Sequence, residues 1–390
     1  MSLEVHLAGL LEQVHPLEPL DITITEAIGC QIVGDVSAPR PIPHFARAAL
    51  RGYAARAADL TGSAMLKVVD DVAPGFAATQ PVYAGVVVRV AAGTPLPTGA
   101  DCVVRGPGFD KVGDQITITE QAEPGAGVTA VGAVAAEGDT VLADGVVIDP
   151  VTVGLLAQLG VIRVSVRPHP RVVVVTIGNE LLPVGAEPTA GLVYDATGPM
   201  LAAAAERAGA VAFRVGPVGY DAREIGQAID DQLIRADLVV VAGEIAYADS
   251  LVRTQLAALG SVTFDEGSTD QGAFGHGTVG EDSIPVLALP SEPVAAEVLF
   301  AALAVPMIYS MRGVQPAAPV HVRLGADVPR TPATQLIPAR LDADGTAHPQ
   351  LGATLVQLGS ADVLLRVLPG NDSQPAGSTV PALSLRPGSP

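Results

Sequence analysis

Tryptophan is absent from this chain of 390 residues, and aromatics make up only 3% of it. Its cores must therefore be built from Val, Leu, Ile and Ala, which suits a hydrophobic content of 49%. Lysine is nearly missing, with Lys67 and Lys111 the only two. The formal net charge is −19. That balance argues against nucleic acid and anionic membranes as partners, because a polyanion would be repelled. Cysteine is limited to Cys30 and Cys102. Two cysteines make no disulfide framework and fit a reducing, cytoplasmic compartment. The first residues, MSLEVHLAGLLEQVH, lack a basic stretch ahead of their apolar ones, so they do not read as a signal peptide. The longest apolar stretch, Pro293 to Met307, is interrupted by Glu297 and Pro306. It reads as a buried helix, and no insertion into a membrane is expected.

Chemical motifs are equally sparse. The histidines are scattered, with no His-x₃-His and no Cys-x₂-Cys spacing, so no metal site is expected. Neither a Gly-x-Ser-x-Gly elbow nor a phosphate-binding Gly-x₄-Gly-Lys loop occurs.

What is present is a change of pattern along the chain. Leu3, Leu7, Leu10, Leu11 and Val14 recur at helical spacing, predicting an amphipathic first helix. Residues 61–145 contain short Val, Ile and Thr runs broken by Gly and Pro, the pattern of a β-rich module. Asp149, Pro150 and Gly160 frame a helix. From RVVVVTI at 171–177, strand and helix patterns alternate as far as about residue 311, which predicts a doubly wound α/β domain with a parallel sheet. Residues 315–390 return to short β runs, a small barrel or sandwich. The tail from Gly370 is rich in Gly, Pro and Ser and is expected to fray at its end.

Ligands of open α/β sheets bind at the carboxyl ends of strands. Four strand exits therefore supply the candidate carboxylates. Glu180 follows the first strand, with Asp195 beyond it; Asp221 follows the second and Asp249 the third. Each has a structural alternative: a solvated loop position for Glu180, and helix capping for Asp221 and Asp249. At the fourth exit Ser291 can cap a helix whose first turn already carries the charge of Glu292, so a phosphoester fits poorly there.

Several segments in this order resemble the molybdopterin molybdenumtransferase family, which includes bacterial MoeA and the E domain of gephyrin. The likeness is carried by AAGTPLPTGADCVV (91–104), RPIPHF and RGYAAR (40–56), TIGNEL (176–181), LVYDATGPML (192–201) and LALPSEPVAAEVLF (287–300). The resemblance implies an elongated, homodimeric, multi-subdomain α/β protomer. Its expected parts are a helical linker subdomain at 1–45 and 146–167, a β-rich subdomain at 46–145, a MogA-like α/β domain at 168–311 and a C-terminal β-barrel at 312–390.

The family inserts molybdate into adenylylated molybdopterin with Mg²⁺, which calls for carboxylates on the metal and cations on the phosphates. This chain departs at the corresponding positions. The family's Asp-Asn-Ser-Ala-Met-Asp loop is Ala46-Arg47-Ala48-Ala49-Leu50-Arg51. A segment with charge in the family is uncharged over Gly127–Val134. Gly-Asp-Glu becomes Gly178-Asn179-Glu180, a Gly-rich loop becomes Ala242–Ala248 with Glu244 inside, and a Lys-containing stretch becomes Thr269–Gly275. Gly-Asn-Pro becomes Ser291-Glu292-Pro293.

These losses predict a pseudoenzyme that needs no cofactor, with Glu180, Asp195, Asp221 and Asp249 as residual carboxylates. By likeness to gephyrin it would be a homodimeric scaffold. Its partner would be a short apolar peptide tail, such as that of the cell-division protein FtsZ. Leu7 and Leu11 on the first helix and Leu365, Val367 and Pro369 in the last subdomain are the candidate groove residues, each with ordinary core packing as its structural alternative. The alternative is a working molybdenumtransferase using Mg²⁺ and molybdate.

Overall fold

The computed structural model describes residues 3–106, 114–315 and 318–386; Lys111 and the last residues of the tail, 387–390, lie outside them. The chain divides into two compact units.

The larger unit contains residues 1–22, 29–31 and 165–390. Its centre is a six-stranded sheet. Strand Arg171–Ile177 lies between Val211–Val218 and Leu238–Gly243, all parallel, and Ile284–Pro290 continues the parallel order. The β-branched run predicts this position, since a central parallel strand is buried on both faces. Alternate residues serve different cores. Val172 and Val174 pack with the helices Thr197–Arg207 and Pro293–Leu299 on one face, while Val173 and Val175 pack under Ala222–Leu233 and Leu251–Leu259 on the other. Burying each such side chain contributes about 1.5–3 kcal/mol.

Two strands at one side of the sheet escape the sequence pattern. Gly260–Asp265 and Phe274–Val279 form an antiparallel pair that completes the sheet. Gly275 and Gly277 weaken the strand signature, yet both are required by close packing. A Cβ at Gly277 would lie 1.9 Å from the Ser261 carbonyl oxygen.

The apolar stretch from Pro293 runs helically to Met311, mostly buried inside the unit. It contains one wide turn over Phe300–Ala304, just before Pro306, which has no N–H to donate back into the helix. The N-terminal helix Leu3–Gln13 buries Leu3 and Leu10 in the same core, and Val14, just past its end, joins them.

The C-terminal strands close into a five-stranded barrel in the order Val320–Leu324, Thr346–Pro349, Gln335–Leu341, Val363–Val367 and Thr379–Ser384. Within the Gly/Pro-rich tail, Thr379–Ser384 is a wall of the barrel, while the end where fraying is expected lies outside the described residues.

The second unit, residues 23–28 and 32–164, holds a five-stranded sheet. Gly52–Ala55 is a fully buried strand there, paired with Val86–Val90 and Cys102–Val104. Helix Pro150–Gln158 is capped by Asp149, whose carboxylate accepts from the Thr152 amide, as the sequence predicts.

Candidate functional site

At the carboxyl ends of the parallel strands, protein groups already fill the anion-receptive positions. Thr176 Oγ1 donates to Asp195 Oδ2 at 2.9 Å, and Asp195 Oδ1 accepts from the Gly198 amide at the start of its helix. Asp195 is thereby buried as an internal brace. Asp221 caps the next helix through the Arg223 and Glu224 amides. Asn179 accepts from the Tyr220 amide at 2.8 Å, tying two exits together.

The third exit corrects an expectation. Asp249 is exposed and Ser250 is the cap, accepting from the Arg253 amide while its Oγ donates to the Glu244 carbonyl. Serine reaches the amide from the true N-cap position, one residue further on. Glu244 bends back onto the Ala246 amide at 2.6 Å. The fourth exit differs in the same way, since Glu292 rather than Ser291 is the N-cap and its Oε2 accepts from the Ala295 amide at 2.7 Å. Glu180, like Asp249, stays exposed at an exit without capping a helix; it folds over Gly178. The four residues thus do not converge on one ligand, and three of the four strand exits end in a helix capped by the protein's own side chain.

Two hollows lie beside these exits. The smaller, about 250 Å³, is lined by Thr176, Asp195, Gly198 and Gly216, with Arg214 as its cation. The larger, about 570 Å³, is bounded by Pro290, Glu292, Asp270, Leu336, Pro338 and Gln350, and neither lysine nor arginine lines it. Asp270 accepts from the Leu336 amide, and burial pushes its carboxyl above the usual range. Among the described residues no three His, Cys, Asp or Glu side chains converge as a metal site.

The second unit gathers the depleted loops. Arg47 and Ala48 pair with Thr129 and Val128, and the Ala48 amide donates to the Thr94 carbonyl. Residues 46–49, 93–96 and 127–129 are thus hydrogen-bonded neighbours, with Arg47 and Arg51 at positions where the family likeness has carboxylates.

Of the groove candidates, Leu7 lines an apolar hollow of about 170 Å³ together with Leu3, Pro319, Leu336, Pro381 and Leu383. Leu11 is packed against the main core instead. Leu365 and Val367 are corrected outright: both are buried inside the barrel. Side chains alternate along a strand, so the outward face of Val363–Val367 is carried by Leu364 and Arg366. Arg366 is the residue of that strand that reaches the hollow. Pro369 is exposed and does not line it. Sequence reading chose the wrong parity, and the inward positions of a closed barrel were the missing signal.

Comparison with known proteins places this geometry. Residues 1–160 match the MoeA N-terminal region (domain I and II), and residues 173–310 match a probable molybdopterin binding domain. Molybdopterin molybdenumtransferase 2 of Mycobacterium tuberculosis is 33% identical over 316 residues, covering 77% of this chain and 76% of that protein. Molybdopterin molybdenumtransferase 1 of the same species is 34% identical over 312 residues, 74% and 73% of the two chains. The molybdopterin biosynthesis MoeA protein of Pyrococcus horikoshii superposes over 99% of both chains with a TM-score of 0.82 and 25% identity. With the α/β domain, the closed barrel and the β-rich unit all in place, the chain belongs to the molybdopterin molybdenumtransferase family.

Proposed function

We propose that this family member has lost molybdate insertion and serves as a binding protein on the family's fold. The observation that carries this reading is the 570 Å³ cleft, which presents Asp270 and Glu292 and no cation. Two unit charges 4 Å apart interact by about 4 kcal/mol near a protein surface. A molybdopterin phosphate beside Glu292 would meet that term as repulsion, where catalysis needs attraction. Loss of one electrostatic stabiliser commonly slows a reaction about 10²–10³-fold, and groups that act as a unit leave little once several are gone.

A second reading is molybdopterin molybdenumtransferase activity. It is supported by the names of the relatives at 33–34% identity. On relationship alone the comparisons favour it over the first.

For the binding role, the occupant we propose is a short apolar peptide tail, with a cell-division protein such as FtsZ as one source. The apolar hollow beside Leu7 would take its side chains, and Arg366 offers a cation at the rim. A homodimer working in the cytoplasm belongs to the same proposal.

Calorimetry of the purified protein with adenylylated molybdopterin, molybdate and Mg²⁺ tests the conclusion. Undetectable binding by folded protein is the expected result. Tight binding followed by turnover would sink it and establish the transferase. Titration with an FtsZ tail peptide, compared between wild type and Leu7→Glu, then tests the groove; equal affinities would remove the peptide from this site.

A further inference from the structure

A second feature of the larger unit is unused by either reading. His6 sits mid-way along the N-terminal helix and is only 6% exposed. Its Nε2 lies 3.0 Å from Asp265 Oδ2, and its Nδ1 lies 3.0 Å from His276 Nε2. Phe274 closes the cluster edge-on, 5.3 Å from the His6 ring. The far nitrogen of His276, Nδ1, is buried with no hydrogen-bond partner. The chain of contacts therefore joins the helix to the edge strand Gly260–Asp265 and to its neighbour Phe274–Val279. The same helix supplies Leu3, Glu4 and Leu7 to the wall of the apolar hollow.

We propose that the N-terminal helix is an acid-released wall of this hollow, latched by the Asp265–His6–His276 chain and opened when the two imidazoles must carry more protons than the chain accommodates. That the hollow takes a peptide rests on the proposed function; release of the helix does not.

Proton counting gives the mechanism. With both rings neutral, His6 donates from Nε2 to Asp265, and His276 donates from Nε2 to the bare Nδ1 of His6. One added proton brings the ring hydrogens to three: one goes to Asp265, one lies between the two rings, and the third falls on His276 Nδ1, where it has no partner. A second added proton sets one N–H against another at 3.0 Å, and the contact cannot persist.

The surroundings offer no relief. Burial, with the neighbouring His6, holds the His276 imidazole below its usual value, and Asp265 only partly opposes this. Burial pushes the Asp265 carboxyl up, but hydrogen bonds from Ser268 and Gly267 and the nearby His6 outweigh it, so this residue stays ionised. Glu4, on the same helix, faces Arg366 at 3.6 Å. On the neighbouring helix Val305–Met311, Tyr309 lies beside Arg312, which donates to the Ala208 and Gly29 carbonyls. A depressed imidazole favours the latched state above the free histidine value of about 6.5, and the gain is lost as pH falls below it.

Amide hydrogen exchange of residues 3–13 in the full chain, without peptide, at pH 7.5 and 5.5 reads the latch directly. After normalisation to intrinsic rates, protection should fall about tenfold, one pH unit of linkage for a single proton. His276→Gln keeps an N–H donor for His6 but has no proton to gain, so it should abolish the fall. His6→Gln, which satisfies Asp265 and His276 through its amide, should do the same and serves if the first variant does not fold. Unchanged protection in the wild type, or an equal fall in a folded variant, would overturn the latch.

Discussion

Glu297 allows a stability effect to be worked from one side chain. It lies in the helix that follows the fourth strand and is 8% exposed. Oε1 is 3.5 Å from Arg207 Nη2, while Oε2 is buried with no partner. Burial pushes the carboxyl up to about 7, with Arg207 offsetting only part of the rise. A folded value above the unfolded one means that the unfolded chain gives up its proton first. The resulting penalty is absent below the unfolded value of 4.5, grows through the window between 4.5 and 7, and is full above it. A shift of this size corresponds to about 3 kcal/mol, at 1.36 kcal/mol per unit. Glu297→Gln removes the titration while keeping the shape. The variant should match the wild type near pH 4 and exceed it by about 3 kcal/mol at pH 8. Urea unfolding followed by circular dichroism at several pH values measures the difference. A stability difference that does not vary with pH, or a variant less stable at pH 8, would refute the reasoning.

Other expectations follow from burial. Burial, with Asp101 beside it, pushes the Cys102 thiol up to about 12, and Cys30 is also buried. At pH 8 neither should react with a disulfide reagent until the protein is denatured, when both should titrate; rapid labelling of the native chain would contradict this. Leu365→Ala empties a fully buried barrel position and should cost about 2–5 kcal/mol, whereas Pro369→Ala at the exposed end of the strand should cost under about 0.5 kcal/mol. Equal effects of the two in thermal unfolding would count against the barrel assignment. Gly127→Ala would place a Cβ 2.1 Å from the Val103 carbonyl oxygen at a backbone φ of +66°. It should lower the melting temperature of the second unit, and a neutral result in calorimetry would refute the close approach.

The sequence by itself determined the α/β domain. The run at 171–177 and the alternating strand and helix patterns after it depend on local periodicity, and the structure follows them closely. It also determined the family, because the GTPLPTGADCVV and RGYAAR segments are contiguous, and the altered charges at 46–51, 178–180 and 291–293 are plain in the chain. What only the tertiary structure decided depends on closure and distance. The glycine-bearing strands at one side of the sheet had no periodic signal, since the close approach of another strand is what demands glycine. The inward parity of Leu365 and Val367 followed from closing the barrel. The caps at Ser250 and Glu292 were fixed by where each helix begins, one residue from the expected position. His6, Asp265 and His276 are far apart in the chain, and only packing of the first helix against the sheet edge makes them neighbours.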